Sequence, residues 1–240
     1  MLLKLDEDIH DRSDHYRQVL YLGPLRGGMS AHVLHAGPET VVWGRLDPAT
    51  PPVLTLDSGA EITVGTVSGG PEALPPPDFG ATVRSEHAAI HARLRPDLGP
   101  HILTGPIAVR GAEPGDALHI EILDIALADD WGWNLVRPLT GALPEVFAAT
   151  RMIQMAVDRR ANAVCTPWGI DLPARSFFGV IGLAPPPAWG AQGSIPPHRY
   201  GGNIDCKELI AGTTLTLPVM AEGALLHVGD GHALQGDGEV

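Results

Sequence analysis

Cysteine is almost missing from this chain: 240 residues carry two, Cys165 and Cys206. That is far below the density of a disulfide scaffold, which excludes the small cross-linked secreted classes and makes a reduced, cytoplasmic protein the expectation. Basic residues are scarce as well, 16 Lys and Arg against 28 Asp and Glu, for a net charge of −12. Binding a phosphate backbone needs a basic stripe, and none is visible, so nucleic acid is excluded as a partner. No apolar run approaches the roughly 18 residues of a membrane-spanning helix, so no membrane role is expected. The first eight residues, Met1 to Asp8, are too acidic and too short in apolar run for a signal peptide. No internal repeat occurs at a solenoid period.

What the chain does have is turn-forming residues. It holds 29 Gly and 23 Pro, together well above the roughly 12% of an average chain. They punctuate short elements rather than long helices, which points to a mainly β fold. Residues 1–30 read as a polar leader with one short helix around Asp14 to Leu20. From residue 31 to 240 the chain reads as one β-rich domain. Val53-Leu54-Thr55-Leu56 and Glu61-Ile62-Thr63-Val64 flank the turn Asp57-Ser58-Gly59-Ala60, a hairpin signal. Glu86 to Leu94 has helical composition, with Ser85 as N-cap and Pro96 past the end. In Ala117 to Asp124, Leu118, Ile120 and Ile122 should face one way and His119, Glu121 and Leu123 the other. Asp130-Trp131-Gly132-Trp133-Asn134 looks too short for an element. Further strands are expected at Arg151 to Val157, Phe177 to Leu183, Thr213 to Val219 and Ala224 to Val228. The sum is nine to twelve short strands and two short helices.

Chemistry concentrates at the carboxyl end. Asp230 and His232 are two apart, so an extended backbone turns both side chains the same way, and Gln235, Asp237 and Glu239 repeat that spacing. Carboxylate oxygen and imidazole nitrogen are ligands for a divalent metal, zinc first and calcium as the alternative. The competing reading is a solvated glycine-rich turn. Asp205, with Asn203 beside Gly201-Gly202, is either a further ligand or an Asx-turn. His101, at a strand entry, is either a ligand or a hydrogen-bonded structural residue. Trp131 and Trp133 either roof a pocket or anchor loops on the core edge. Cys206-Lys207-Glu208 invites comparison with a Cys–Lys–Glu nucleophile, but adjacent side chains on a strand or helix diverge.

Six blocks, taken together, carry a family resemblance. They are Pro51 to Thr55, His101 to Asp116, Asp130 to Asn134, Phe177 to Pro185, Gly201 to Leu209 and Gly229 to Val240. In this order they resemble the acetamidase/formamidase family over residues 30–240. The resemblance implies a β-sandwich or barrel-like fold with few short helices, in a homodimer or higher homo-oligomer. It also implies hydrolysis of a small amide substrate such as formamide or acetamide to carboxylate and ammonia. Carried over by motif, the site comprises Asn203 and Asp205, then Asp230, His232, Gln235, Asp237 and Glu239, with His101 and Thr104 from a third block. The mechanism expected is metal-activated water held by Asp230 and His232, with Asp205 or His101 completing the ligands. Glu239 or Asp237 would move the proton, Asn203 or Gln235 would donate to the oxyanion, and Thr104, Trp131 and Trp133 would contact substrate. Cys206 stands where the family more often has asparagine. The family also continues past its Gly-Asp-Gly-Glu block, so its C-terminal part is expected to be absent here. The alternatives are a non-catalytic β-rich module that binds a metal or small ligand, and an inactive truncated homologue.

Overall fold

The structure, a computed structural model, describes residues 2–4, 19–22, 32–141 and 143–239. Alternation builds its first sheet. Along Ala117–Asp124, Leu118, Ile120 and Ile122 are buried while His119, Glu121 and Leu123 on the other face are partly exposed, as the period-two pattern predicts. Thr213–Pro218 pairs along one edge of this strand. The other edge is shared by Leu2–Lys4, antiparallel, and Val19–Leu22, parallel. Ile62–Val64 and His32–Leu34 complete a six-stranded sheet.

Continuous apolar runs build the second sheet. Every residue of Ile102–Val109 and of Phe177–Gly182 is buried, the pattern of strands covered on both faces. The order is Gly201–Asn203, Phe177–Gly182, Leu226–His232, Ile102–Val109, Val41–Trp43, with Leu54–Leu56 parallel to Ile102–Val109. One core joins the two sheets. It takes Ile62, Leu118, Ile120 and Leu217 from the first and Leu103, Ile107, Val180, Leu226 and Val228 from the second. Each such side chain is worth about 1.5–3 kcal/mol on burial, so the face between the sheets dominates the stability of this β-sandwich. The mainly β expectation holds, with more strands than the sequence suggests. Among the described residues there are eighteen, with one α-helix and a few 3-10 turns.

Four local expectations need correction. Leu54–Leu56 and Ile62–Val64 flank the expected turn, and the Ala60 N–H does donate to the Asp57 carbonyl at 3.2 Å. The two strands nevertheless join different sheets, because Leu56, Ala60 and Ile62 all face the shared core and the chain crosses between the sheets there. Trp131 opens a strand, Trp131–Val136, whose six residues pair in unbroken register with 151–156. It begins a four-stranded meander continued by Arg151–Asp158, Ala163–Cys165 and Asp171–Pro173. Its partner is separated by a loop, which a local reading does not see. The helix runs Ser85–Arg93 with Arg84, not Ser85, at the N-cap, and the Ser85 hydroxyl turns to Glu86. The helix expected around Asp14 to Leu20 lies mostly outside the described residues, and its last two positions open the Val19–Leu22 strand.

His227 is the most thoroughly buried titratable group of the second sheet. Its Nδ1 donates to the Leu225 carbonyl at 3.0 Å and its Nε2 has no partner. Burial pushes its pKa down to about 4 against weaker upward pulls from the Leu225 bond and Asp47. Above the ordinary value near 6.5 both folded and unfolded states hold it neutral, and no stability changes. Between about 6.5 and about 4 only the unfolded chain takes up the proton, so stability falls as pH falls, by roughly 3 kcal/mol across the window. Denaturant titrations at several pH values should therefore give a flatter stability profile for His227→Asn than for the wild type between pH 6.5 and 4. Parallel profiles would refute this.

Candidate functional site

The site is built over a glycine. Phe177–Gly182 runs between Gly201–Asn203 and Leu226–His232, with Phe177 opposite His232, Phe178 opposite Gly231 and Val180 opposite both Gly229 and Asn203. Gly179 therefore lies beside Asp230. Its carbonyl accepts the N–H groups of Ile204 at 2.8 Å and Asp205 at 3.2 Å, which folds the chain after Asn203 back across the strand. A Cβ on Gly179 would stand 2.5 Å from Asp205 Oδ1, 2.6 Å from Asp230 Oδ2 and 3.0 Å from His232 Nε2. The side chains of Asp205, Asp230 and His232 converge on the space that this residue leaves open.

Within the cluster, His232 Nε2 lies 3.2 Å from Asp230 Oδ2 and 3.6 Å from Asp205 Oδ1. Phe177 stacks on the His232 ring at 4.7 Å between centroids and fixes its plane. His101 Nε2 approaches Asp230 Oδ2 at 3.7 Å, and its Nδ1 is hydrogen-bonded to Ser194 Oγ at 2.8 Å. Asp205, Asp230 and Glu239 hold left-handed backbone, with φ of 47°, 55° and 55°. Aspartate tolerates that region better than most residues, and such conformations gather where geometry is imposed by function.

The charges are coupled. Burial would raise the Asp230 carboxyl, but the hydrogen bond and charge of His232, with the charge of His101, hold it below the usual carboxylate range. Burial would likewise lower His232, yet Asp230, Asp205 and Glu239 together raise it. Partial withdrawal from water, then the charge and hydrogen bond of Asp205, push Glu239 up to about 7.

Asp205, Asp230 and His232 offer donor atoms within 4.8 Å of one another, the one such group of three among the described residues. Two further observations fit a divalent cation. Asp205 Oδ1 is shielded from water without a hydrogen-bond partner, and Asp205 Oδ1, Asp230 Oδ2 and His232 Nε2 all crowd the one position that Gly179, lacking a side chain, leaves to them. An acceptor left bare beside another carboxylate and an imidazole is a donor set that such an ion satisfies.

Two cavities meet here. One of about 140 Å³ is lined by Ser68, Glu72, His101, Trp133, Asp230 and Glu239, among others. The other, of about 800 Å³, is lined by Trp131, Trp133, Phe177, His232, Gln235 and Glu239 with many apolar neighbours. Asp230 and Glu239 belong to both.

The remaining expected residues divide. Trp131 and Trp133 do line cavity wall. Gln235 also lines the larger cavity, but its Nε2 donates to the Asp205 carbonyl at 2.9 Å and so anchors the loop that carries that ligand candidate. Asn203 Nδ2 donates to the Ile195 carbonyl at 3.2 Å. The Asp237 side chain is 93% exposed and pairs with Lys207 at 3.1 Å, turned away from the cluster. Thr104 is fully buried, donates to the Gly65 carbonyl at 2.8 Å and lines neither cavity. Cys206 and Lys207 do not diverge as expected. They occupy a turn, not a strand or helix, and both reach Glu208, at 3.5 and 2.7 Å, outside both cavities. Sequence reasoning misses Gly179, Phe177 and Ser194. A glycine inside the apolar run Phe177 to Gly182 was the available signal for the first, and nothing local marks Ser194. No described helix is long and apolar enough to cross a membrane.

The sequence model of the Acetamidase/Formamidase family matches residues 35–192 and 187–240. A formamidase of Methylophilus methylotrophus is 32% identical over 58% of this chain and 47% of its own length. An acetamidase of Mycolicibacterium smegmatis is 30% identical over 60% of this chain and 50% of its own. The crystal structure of an acetamidase from Bacillus halodurans superposes with a TM-score of 0.70 at 30% identity, covering 88% of this chain and 64% of that one. The chain spans about half the length of the curated relatives it matches.

Proposed function

The chain belongs to the acetamidase/formamidase family, and from that premise we propose that it hydrolyses short-chain carboxamides to carboxylate and ammonia. The observation that carries the reading is the convergence of Asp205, Asp230 and His232 over Gly179, where both cavities meet and Glu239 joins them. The formamidase and acetamidase relatives supply the reaction class.

Zinc is the ion we propose for the cluster, with Asp205, Asp230 and His232 as ligands and His101 as the neighbour that orients Asp230. When bound, such an ion lowers the pKa of water and polarises a carbonyl. The protein's own groups do the rest. Phe177 and Asp230 fix the His232 ring, and Gln235 fixes the Asp205 loop through its backbone carbonyl. The carboxamide sits at the junction of the cavities, with Trp133 as wall to both. Glu239 takes a proton from the attacking water and returns it to the departing nitrogen, so that amide plus water leave as carboxylate and ammonium. Homo-oligomeric assembly and cytoplasmic residence belong to the same proposal, the latter consistent with two free cysteines.

The test is metal content together with ammonia release from formamide, acetamide and propionamide. Roughly one divalent ion per chain is expected. Chelation should cut turnover at least about tenfold, and zinc should restore it. Retained metal with no ammonia from any amide would instead favour a binding module without catalysis.

A further inference from the structure

We propose that His87 and His91 are positioning residues that set the backbone around Asp230 from a distance. The one α-helix of the described residues, Ser85–Arg93, buries His87 and Ile90, and His91 stands one turn beyond His87 on the same face. Nothing in helix packing asks for imidazole there, since leucine would fill the space without burying polar atoms. Both rings converge on a single acceptor, the Gly69 carbonyl, with Nε2 at 3.3 Å for His87 and 3.1 Å for His91. A carbonyl only accepts, so each Nε2 is the donor in its bond. Both Nδ1 atoms are buried without partners. The fold thus tolerates two unpaired nitrogens in order to aim two donors at one oxygen.

The rings are held in place. They meet edge to face at 4.5 Å, while His91 stacks on Trp43 at 5.4 Å and His87 lies parallel to Trp131 at 6.1 Å. The start of the helix grips the segment once more, where Arg84, paired with Asp129, donates to the Thr66 carbonyl at 2.8 Å. Gly69 takes φ of +86°, and a side chain there would strike Ala73 and Trp133. The neighbouring Ser68 Oγ accepts the Gly231 N–H at 2.9 Å. Gly231 directly follows Asp230, whose φ is 55°. The path therefore runs from the helix to Gly69, to Ser68, to Gly231, and so to the left-handed turn that points the Asp230 carboxylate at His232. Ser68, Gly69 and Asp230 wall the same 140 Å³ cavity.

As far as catalysis goes, the inference rests on the ligand role proposed above for Asp230, but its first readout does not. That readout is hydrogen exchange at the Gly231 amide in His87→Leu and His91→Leu, with His87→Gln and His91→Gln as the pair that restores a donor near Nε2. Exchange at Gly231 should rise at least about tenfold in the leucine variants and return most of the way in the glutamine variants. Zinc affinity should weaken about 10- to 100-fold in the leucine variants, the range for groups that orient a ligand, and kcat should fall with KM nearly constant. Ser68→Ala, which leaves the helix untouched, should reproduce the exchange and affinity losses, so a leucine variant that fails to fold still leaves a decisive measurement. Unchanged exchange in Ser68→Ala, or equal losses in the leucine and glutamine variants, would overturn the proposal. A wild type without amide turnover would refute the hydrolase reading alone, because the Gly231 exchange pattern decides this one independently.

Discussion

Gly179→Ala is expected to empty the site while leaving the sandwich folded. The added methyl would lie 2.5 Å from Asp205 Oδ1, 2.6 Å from Asp230 Oδ2 and 3.0 Å from His232 Nε2, closer than carbon and oxygen can approach. Something must give. The strand itself does not, because Gly179 sits inside a fully buried strand paired on both sides, with its carbonyl holding Ile204 and Asp205. What yields is the side chains of Asp205, Asp230 and His232, each by roughly an ångström. A misplacement of that size costs on the order of a hundredfold in turnover. On the reading proposed above, losing the shared space above the glycine should also weaken the binding of a divalent ion to the cluster. Metal content should fall well below one ion per chain, and ammonia release from acetamide should drop at least about a hundredfold, with a thermal midpoint close to the wild type. Wild-type turnover with metal retained would show that the cluster over Gly179 is not where the chemistry happens.

Gly179 also marks how far the sequence can be read. The sandwich is legible where one strand speaks for itself, since Leu118, Ile120 and Ile122 declare a face without knowing their partners. Asp230 and His232 are legible as a pair for the same reason, because two residues apart on a strand share a side. Asp205 is a different case. It reaches the pair only because Phe177–Gly182 lies between them, and that order of strands is a property of the sheet rather than of any local window. Asp237 fails for a related reason. Its two-residue spacing from Gln235 and Glu239 suits an extended chain, but Gly238 and Glu239 take left-handed backbone, with φ of 72° and 55°, and the turn sends Asp237 out to Lys207 and brings Glu239 back to Asp205. Thr104 shares a block with His101, yet three positions along a strand reverse the face: His101 points at Asp230 and Thr104 at the Gly65 carbonyl. Leu54–Leu56 and Ile62–Val64 look like a hairpin because a turn sequence does not say whether the strands it joins belong to one sheet or two.

The turn that separates Asp237 from Glu239 sets up the second large effect. Of the two carboxylates the sequence offers as proton carrier, only Glu239 borders both cavities, and its left-handed backbone aims it back at the cluster. Glu239→Gln keeps the length and shape of the side chain but can neither take nor return a proton. If the proposed hydrolase reading holds, metal content should stay at the wild-type level, because Asp205, Asp230 and His232 are intact, and KM for the amide should change little. Only kcat should fall, by about a hundred- to ten-thousandfold, the usual contribution of a positioned acid–base group. Asp237→Asn provides the contrast. Its side chain is 93% exposed and paired with Lys207, so its turnover should stay within about twofold of the wild type, as surface changes away from special contacts usually do. Steady-state kinetics on acetamide, with metal content measured on the same preparations, separate the two. If Asp237→Asn proved the more damaging, the proton would be moving through the other carboxylate, and the turn at 237–239 would have to rearrange when substrate binds.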